Sequence, residues 1–298
     1  MNVQATILIP THDHGPIIRH ALECALGQTV RDVEVFVVGD GVPDVTRAIL
    51  RDSMTRDARV RFFDNPKGPR LGEVHRHAAL REARGRIVCY LADDDLYFED
   101  HVATMLALLE DADFAGALGA RIMPDGTVYC TPVDMRNPTH RSLMKARLAG
   151  FGLSSSAHTL DFYRKLPFGW RTTPEGRATD SYMWSQLLGT PGCRATSSFH
   201  LTVVHLPSMF RRNMTVEERD AETARWAAEI RKPGTQERLT EKLVEWFVSE
   251  RVRIDEMPIV RLRNRMLAVP GLRWLVLAAR TVLVSRGLGR PAPRSTPR

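Results

Sequence analysis

Short apolar runs alternate with amphipathic stretches through the first 120 residues, and this alternation limits the possible folds more than any other feature. The runs are nearly continuous in Ile, Val, Leu and Phe, as expected for strands that are covered on both faces. Strands that alternate with helices predict an α/β fold with a mostly parallel sheet flanked by helices. The predicted strands are 6–10, 33–38, 60–63, 87–91 and 114–118, and the predicted helices lie near 17–26, 45–56, 72–83 and 101–109.

The remaining chain is less regular. Residues 121–212 are rich in Gly, Pro, Ser and Thr, and we predict short helices near 139–149 and 180–188 and a strand at 201–205. Two polar helices are predicted within 216–255, divided at Lys232-Pro233-Gly234, because Pro and Gly interrupt helices. We expect a basic amphipathic helix over 258–288 and a disordered tail over 289–298.

The formal net charge of +7 is concentrated at the C-terminus. Residues 251–298 contain 11 Arg and 2 acidic residues, a net charge of +9. The first 250 residues therefore carry 31 basic and 33 acidic side chains, a net charge of −2. A near-neutral body argues against a nucleic-acid-binding fold, which would carry a basic face. We expect no nucleic-acid partner.

Cysteine usage and hydropathy indicate an intracellular protein. The four cysteines are widely spaced and lack zinc or redox spacing, as expected for reduced cytosolic residues. The first apolar run is too short for a signal peptide, and no apolar run reaches the length of about 18 residues that a membrane span requires. We therefore expect a cytoplasmic location.

Polar residues follow the first four predicted strands. In open α/β sheets, ligands bind beyond the carboxyl ends of the strands. The candidate ligand-binding residues at these positions are Pro10, Thr11 and His12 after the first strand, Asp40 after the second, Arg70 in the loop after the third, and Asp93, Asp94 and Asp95 after the fourth.

Asp93-Asp94-Asp95 carries the strongest chemical signal. Three adjacent carboxylates repel one another, and a divalent cation relieves that repulsion; oxygen ligands suit Mg²⁺ or Mn²⁺. The alternative is that the acids cap the following helix and interact with its dipole. We favour the metal, because all three acids lie at the predicted ligand-binding edge.

Several segments, taken in order, resemble family 2 glycosyltransferases, which are inverting nucleotide-sugar transferases with the GT-A fold. Val35-Phe36-Val37-Val38-Gly39-Asp40-Gly41 resembles the family's Val-Val-Asp-Asp-Gly, and Leu91-Ala92-Asp93-Asp94-Asp95 resembles its Leu-Asp-x-Asp-Asp, where an Asp-x-Asp motif binds metal. Gly39 replaces the first Asp of the former motif. Ala92 takes the place of the first acid of the latter, which leaves open whether Asp93 and Asp95 or Asp94 and Asp95 meet the ion. The opening strand, Ile7-Leu8-Ile9-Pro10-Thr11, and Ala25-Leu26-Gly27-Gln28-Thr29 also match.

The resemblance continues more loosely in the second half. Thr179-Asp180 resembles a Glu-Asp segment whose second acid is the catalytic base, so Asp180 is the expected base; alternatively it caps the helix that follows. His205 is expected to help hold metal or diphosphate, and its alternative is a core or surface role. Arg211 and Arg212 suit a diphosphate, and their alternative is a solvated charge pair.

The resemblance implies a GT-A domain over 1–212, with a nucleotide-sugar-binding half (1–120) and an acceptor half (121–212), followed by a helical extension (213–288). It also implies a metal-dependent, inverting hexosyltransferase. We expect a non-processive one, because Glu222-Thr223-Ala224-Arg225-Trp226 lacks the Gln of the Gln-x-x-Arg-Trp motif that processive members carry. The donor would be a nucleoside-diphosphate sugar, and the acceptor a glycan, a lipid-linked molecule or a small molecule. A catalytically impaired nucleotide-sugar-binding relative is the main alternative, and a nucleotidyltransferase is a weaker one.

The residue pattern of the C-terminal segment predicts that this segment contacts the surface of a membrane. Residues 258–288 place arginines beside apolar stripes that include Trp274, a pattern that can lie on anionic lipid. The alternative is a helix that packs on the rest of the protein.

Overall fold

The computed structural model describes residues 3–147 and 150–255. The strands are β1 (Ala5–Thr11), β2 (Val33–Asp40), β3 (Val60–Asn65), β4 (Ile87–Tyr90), β5 (Leu96–Tyr97), β6 (Phe114–Ile122), β7 (Val128–Tyr129), β8 (Ser156–Thr159) and β9 (Ala195–His205). The α-helices are α1 (Ile18–Leu26), α2 (Asp44–Arg56), α3 (Glu73–Leu80), α4 (His101–Leu108), α5 (Pro138–Lys145), α6 (Leu160–Arg164), α7 (Thr179–Gly189), α8 (Val216–Glu229) and α9 (Thr235–Asp255).

One sheet organises these elements in the order β3-β2-β1-β4-β8-β6-β9-β5, and β7 pairs with β6. The strands β3, β2, β1, β4, β6 and β9 share one direction, while β8 runs antiparallel between β4 and β6. The predicted α/β class with a mostly parallel sheet is therefore confirmed. The sequence did not reveal β8, because its residues, Ser-Ala-His-Thr, lack an apolar run although they are largely buried.

The strands that carry the predicted ligand-binding residues are almost entirely buried. Every residue of β2 and β4 is buried, and so are all residues of β1 except Pro10. Beneath them, Tyr90 packs against the indole rings of Trp170 and Trp184, with centroid distances of 5.5 Å and 5.7 Å. Because β1, β2 and β4 are parallel neighbours, their carboxyl ends meet at one edge of the sheet.

Two helices follow the sheet. As predicted, α8 and α9 flank Lys232-Pro233-Gly234. Met1–Leu243 form one compact unit and a second begins at Val244, so α8 belongs to the same unit as the sheet. A domain boundary at residue 212 stays a prediction. The predicted helix over 258–288 and the predicted tail over 289–298 lie outside the described residues. Among the residues that are described, no helix is both long and apolar enough to cross a membrane.

Candidate active site

A cleft of about 310 Å³ opens where β1, β2 and β4 end. It brings together residues that are far apart in the sequence, from the end of the first strand to the start of α7. Its lining includes Pro10, Thr11, His12, His14, Asp40, Gly72, Arg76, Asp93, Asp94, Leu153 and Asp180. Most of the predicted site residues therefore share one cleft, while Asp95, Arg70, His205, Arg211 and Arg212 do not line it.

Asp40 forms one end of this cleft. Its buried carboxylate accepts hydrogen bonds from the backbone N–H of Gly68 (2.6 Å) and from Lys67 Nζ (2.7 Å). A Cβ at Gly72, which has φ +65°, would lie 2.6 Å from Asp40 Cγ, so only glycine fits this close approach. Nearby, His12 Nδ1 hydrogen-bonds the backbone oxygen of Asp40 (2.6 Å). The result is a rigid polar pocket formed by the ends of β1 and β2.

Arg70 belongs to the loop that wraps Asp40. Its backbone has φ 57°, and its carbonyl oxygen accepts a hydrogen bond from Lys67 Nζ (2.8 Å). The side chain is exposed and does not line the cleft. In this structure Arg70 therefore contributes to the loop through its backbone.

The three consecutive acids have three different surroundings. Asp93 accepts hydrogen bonds from Thr11 Oγ1 (2.6 Å) and contacts His14 Nδ1 (2.7 Å). Asp94 accepts from the Ser208 hydroxyl and from Arg219 Nη2 (3.1 Å). These two acids face the cleft.

Asp95 is turned into the protein instead. Its carboxylate accepts hydrogen bonds from Ser154 Oγ (2.5 Å) and the backbone N–H of Leu206 (3.1 Å), and it contacts His205 Nδ1 (2.7 Å). The other imidazole nitrogen of His205 contacts Ser155 Oγ (3.0 Å). Asp95 and His205 thus form a buried pair that ties β9 to the segment after β4.

The same division appears in the electrostatics. Burial opposes ionisation of Asp95, but its contact with His205 lowers the pKa of that carboxyl overall. Burial, together with the charges of Asp95 and Asp93, raises the pKa of Asp94. Burial disfavours the imidazolium of His14, yet Asp93 raises the pKa of His14 to about 9. The charges of neighbouring acids thus oppose ionisation of Asp94, and a cation beside these carboxylates would relieve that repulsion.

His14, Asp93 and Asp94 form a group of metal-ligand type within the described residues. One ligand atom from each lies within 4.8 Å of the others. Two carboxylates suit a hard divalent cation, and the imidazole of His14 could supply a third ligand once it loses its proton, because metal binding displaces the protons of its ligands. The residues present therefore fit a divalent metal at Asp93 and Asp94. The capping alternative for the three acids is wrong, because α4 begins only at His101 and Asp100 occupies its N-cap.

Asp180 reaches the cleft from the other side. It is the second residue of α7, whose N-cap is Ala178, so the interpretation of Asp180 as an N-cap is wrong. Burial raises the pKa of the Asp180 carboxyl, although the positive charge of Arg76 opposes that shift. A carboxylate with a raised pKa at the wall of a cleft suits general-base catalysis.

Arg76 is a cleft residue that sequence reasoning missed. It is 6% exposed, its guanidinium lies 4.8 Å from the ring of Trp170, and Nη2 donates to the carbonyl oxygen of Leu71 (3.1 Å). Its Nε and Nη1 atoms are buried without a hydrogen-bond partner. Burial lowers the pKa of this guanidinium. Two buried donors that lack a partner are available to an anionic ligand in the cleft.

Arg211 and Arg212 differ from the diphosphate-binding arginines that the sequence led us to expect. Arg211 is buried, and it donates through Nε and Nη2 to both carboxylate oxygens of Glu222 (2.5 Å and 2.8 Å). Arg212 is exposed and lies outside the cleft. Arg219, on α8, does contact one of the three acids, Asp94. The position of Arg219 in the sequence does not predict this contact.

The comparisons with known proteins agree on one family. The model of glycosyl transferase family 2 matches residues 6–168. The uncharacterized glycosyltransferase EpsJ of Bacillus subtilis is 32% identical over 90 residues, which cover 30% of this chain and 26% of EpsJ. A Campylobacter jejuni protein named GalNAc(5)-diNAcBac-PP-undecaprenol beta-1,3-glucosyltransferase is 23% identical over 101 residues, 34% of this chain and 33% of that protein. The chain thus spans about a third or less of these curated relatives.

Solved structures extend the likeness beyond the matched segment. The 1–349 fragment of S. aureus TarS in complex with UDP-GlcNAc aligns over 97% of this chain and 93% of the fragment, with a TM-score of 0.55 and 14% identity. The longer TarS chain aligns over 76% of this chain and 39% of its own length, with a TM-score of 0.53. At this identity the likeness concerns the fold. Because the family model covers more than half of the chain and the architecture agrees, this protein belongs to glycosyl transferase family 2 and has the GT-A fold.

Proposed function

We propose that this protein is a metal-dependent, inverting glycosyltransferase that moves a sugar from a nucleoside-diphosphate sugar to an acceptor hydroxyl. The observation that carries the proposal is the shared cleft, which brings the metal-ligand pair Asp93 and Asp94 together with Asp180. Family membership supports the reaction class. The complex of TarS with UDP-GlcNAc supports a nucleotide-sugar donor in a protein of the same fold.

The nucleoside would occupy the Asp40 end of the cleft. There the strand ends supply Pro10, Thr11 and His12, and the Asp40 carboxylate is already fixed by Lys67 and Gly68. A fixed carboxylate can accept hydrogen bonds from a base or a ribose with little loss of conformational entropy. The donor's nucleoside would therefore bind to a preorganised surface.

The diphosphate would lie between Arg76 and the acids. Arg76 offers two unpartnered N–H donors, and Arg219 adds positive charge beside Asp94. A divalent cation, Mn²⁺ or Mg²⁺, when bound by Asp93 and Asp94, would neutralise charge on the leaving diphosphate. Arg76 and Arg219 would then orient the diphosphate of the donor.

Asp180 would act as the base in a single displacement. The acceptor oxygen forms a bond to the anomeric carbon while the bond from that carbon to the diphosphate oxygen breaks. The electron pair of the broken bond leaves with the nucleoside diphosphate, and the acceptor's hydroxyl proton passes to Asp180. Attack opposite to the leaving group inverts the anomeric carbon.

Two alternatives are less well supported. A catalytically impaired relative would explain why Gly39, Ala92 and Thr179 replace acids, but Asp93, Asp94 and Asp180 still meet in one cleft. A nucleotidyltransferase would carry a Gly-rich basic loop after the first strand, where this chain has Thr11-His12-Asp13-His14-Gly15.

The proposal is tested by the melting temperature of the full chain with nucleoside diphosphates and nucleotide sugars, with and without Mn²⁺. A ligand that binds only the folded state raises the melting temperature. We expect a metal-dependent rise with one nucleotide class, and its loss in Asp94→Asn. The matched control is Asp111→Asn, which removes an exposed carboxylate outside the cleft. A chain that gives no shift with any nucleotide would contradict the proposal.

A further inference from the structure

The guanidinium of Arg219 contacts a carboxylate that belongs to the candidate metal group. Its Nη2 atom donates to Asp94 Oδ2 (3.1 Å) and to Ser208 Oγ (3.0 Å), and the Ser208 hydroxyl donates to the same oxygen of Asp94. The side chains of Arg219 and Asp94 are only 13% and 11% exposed, so this contact differs from a solvated surface pair. Asp94 is also one of the three residues of metal-ligand type, with His14 and Asp93. One carboxylate is thus a partner for an internal cation and for the proposed metal.

These two cations compete for Asp94. A carboxylate oxygen has about two acceptor sites, and Asp94 Oδ2 already accepts hydrogen bonds from Ser208 and Arg219. A divalent cation on this carboxylate would also repel a guanidinium nitrogen that lies 3.1 Å from it. The contact with Arg219 therefore lowers the affinity of Asp94 for a metal.

Arg219 can change its partner while the helix that carries it stays in place. The backbone of α8 is fixed by the neighbouring side chains, because Asp220 forms an ion pair with α1 and Glu222 forms one with the buried Arg211. A capping box also fixes the first turn of α8. The guanidinium of Arg219 is held by its hydrogen bonds at Asp94. Rotation of one side chain is therefore sufficient to release the carboxylate.

The diphosphate of the donor is the partner that suits Arg219 better. A guanidinium can form two parallel hydrogen bonds with phosphate oxygens, whereas Arg219 forms one hydrogen bond with Asp94. In the proposed reaction the diphosphate shares its metal with Asp94, so it comes within reach of the Arg219 side chain. Arg219 would then gain a stronger partner, and Asp94 would become free to bind the metal.

We propose that Arg219 competes with the divalent cation for Asp94 and exchanges this carboxylate for the diphosphate when the donor binds. This inference rests on the proposed function, since it describes how the same site is regulated. The exchange couples the two ligands, because the diphosphate removes the competitor and so raises the affinity for the metal. By linkage, the metal raises the affinity for the diphosphate by the same factor.

The test measures the two ligands separately, on the full chain and on Arg219→Gln. Binding of Mn²⁺ alone is followed by the electron paramagnetic resonance signal of the free ion. Binding of inorganic pyrophosphate in metal-free buffer is followed by ³¹P NMR, since pyrophosphate presents a diphosphate without a choice of nucleoside. We expect Arg219→Gln to bind Mn²⁺ about tenfold more tightly than wild type, and pyrophosphate about tenfold more weakly, the scale of one charge-assisted contact.

Three further variants assign the effect to the charge at this position. Arg225→Gln removes an exposed arginine of the same helix and should leave both affinities unchanged. Arg219→Lys keeps the charge and should bind Mn²⁺ much as wild type does. Ser208→Ala removes the uncharged donor to Asp94 and should raise the affinity for Mn²⁺ by less than Arg219→Gln does. Circular dichroism spectra that match wild type confirm that the variants fold.

The sign of the change distinguishes this inference from a structural role. If Arg219 only held Asp94 in position, its loss would weaken the binding of Mn²⁺. An affinity of Arg219→Gln for Mn²⁺ that is unchanged or lower would therefore overturn the inference, and so would an unchanged affinity for pyrophosphate. The proposed function fails in a different experiment, when wild type shows no thermal shift with any nucleotide. Because the two titrations contain no nucleotide, the two failures are distinguishable.

Discussion

The buried carboxylate of Glu73 accepts a hydrogen bond from Thr179 Oγ1, 3.4 Å away at the first residue of α7. The same carboxylate accepts from the backbone N–H groups of Thr173 (3.2 Å) and Leu71 (3.2 Å). Glu73 begins α3, the helix that carries Arg76, and Thr179 precedes Asp180. One side chain therefore fixes the arginine helix relative to the proposed base.

Replacing Glu73 by Gln should destabilise the fold and misplace Asp180. Burial disfavours the Glu73 carboxylate, but hydrogen bonds from Thr173 lower its pKa overall. The charge of Glu73 therefore stabilises the fold fully at pH values above 4.5, the usual pKa of a glutamate. This stabilisation is lost as the pH falls through the lower pKa that Glu73 has in the folded state. We expect urea denaturation to show a loss of about 1–3 kcal/mol at pH 7 that shrinks in acid. Glu110→Gln, at an exposed position, is the control; the same loss in both variants would contradict the role of Glu73.

Replacing Asp180 by Asn should stop sugar transfer and leave the nucleotide-dependent thermal shift in place. Loss of a general base lowers the rate by about 10²- to 10⁴-fold. Because burial raises the pKa of Asp180, the wild-type rate should fall toward acid with a midpoint above the usual aspartate value of about 3.9. A pH–rate profile checks this. Full activity in the Asn variant would exclude Asp180 as the base.

Substitution by Asn should lower the stability of the fold at Asp95 and the response to Mn²⁺ at Asp94. Asp95→Asn breaks the buried contact with His205 and should lower the free energy of unfolding by about 3 kcal/mol. Asp94→Asn relieves repulsion that already raises the pKa of Asp94, so it should not lower stability, although it should abolish the Mn²⁺-dependent shift. Thermal denaturation with and without Mn²⁺ separates the two. Equal destabilisation by both variants would contradict this division of roles.

The sequence predicted the parts of the fold that depend on local pattern. Buried strands such as β2 and β4 are continuous apolar runs, and the acids at their ends stand at one sheet edge because parallel strands share an orientation. That rule was sufficient to place Asp40, Asp93 and Asp94 together. The pattern of residues also predicted a helix near 180–188, close to the observed bounds of α7.

The remaining features depend on tertiary contacts that no local pattern encodes. An arginine on an amphipathic helix usually faces solvent, so nothing in the spacing separates the buried Arg76 from exposed arginines such as Arg81. The three adjacent acids look alike in sequence, and only the contacts of Asp95 with His205 and Ser154 turn it inward. Side-chain partners that are distant in the chain decided these assignments.

The last prediction concerns Arg211. The sequence suggested that it binds a diphosphate, but in the structure it forms a buried ion pair with Glu222. Arg211→Met leaves the Glu222 charge buried and unpaired, which should cost about 3–5 kcal/mol of unfolding free energy. The double variant Arg211→Met/Glu222→Leu should recover most of that loss, since apolar residues of similar volume often replace a buried ion pair. Arg212→Met, at the exposed neighbour, should change stability by less than about 0.5 kcal/mol. Chemical denaturation of the four proteins measures these differences, and a double variant as unstable as the single one would show that Arg211 acts through contacts other than Glu222.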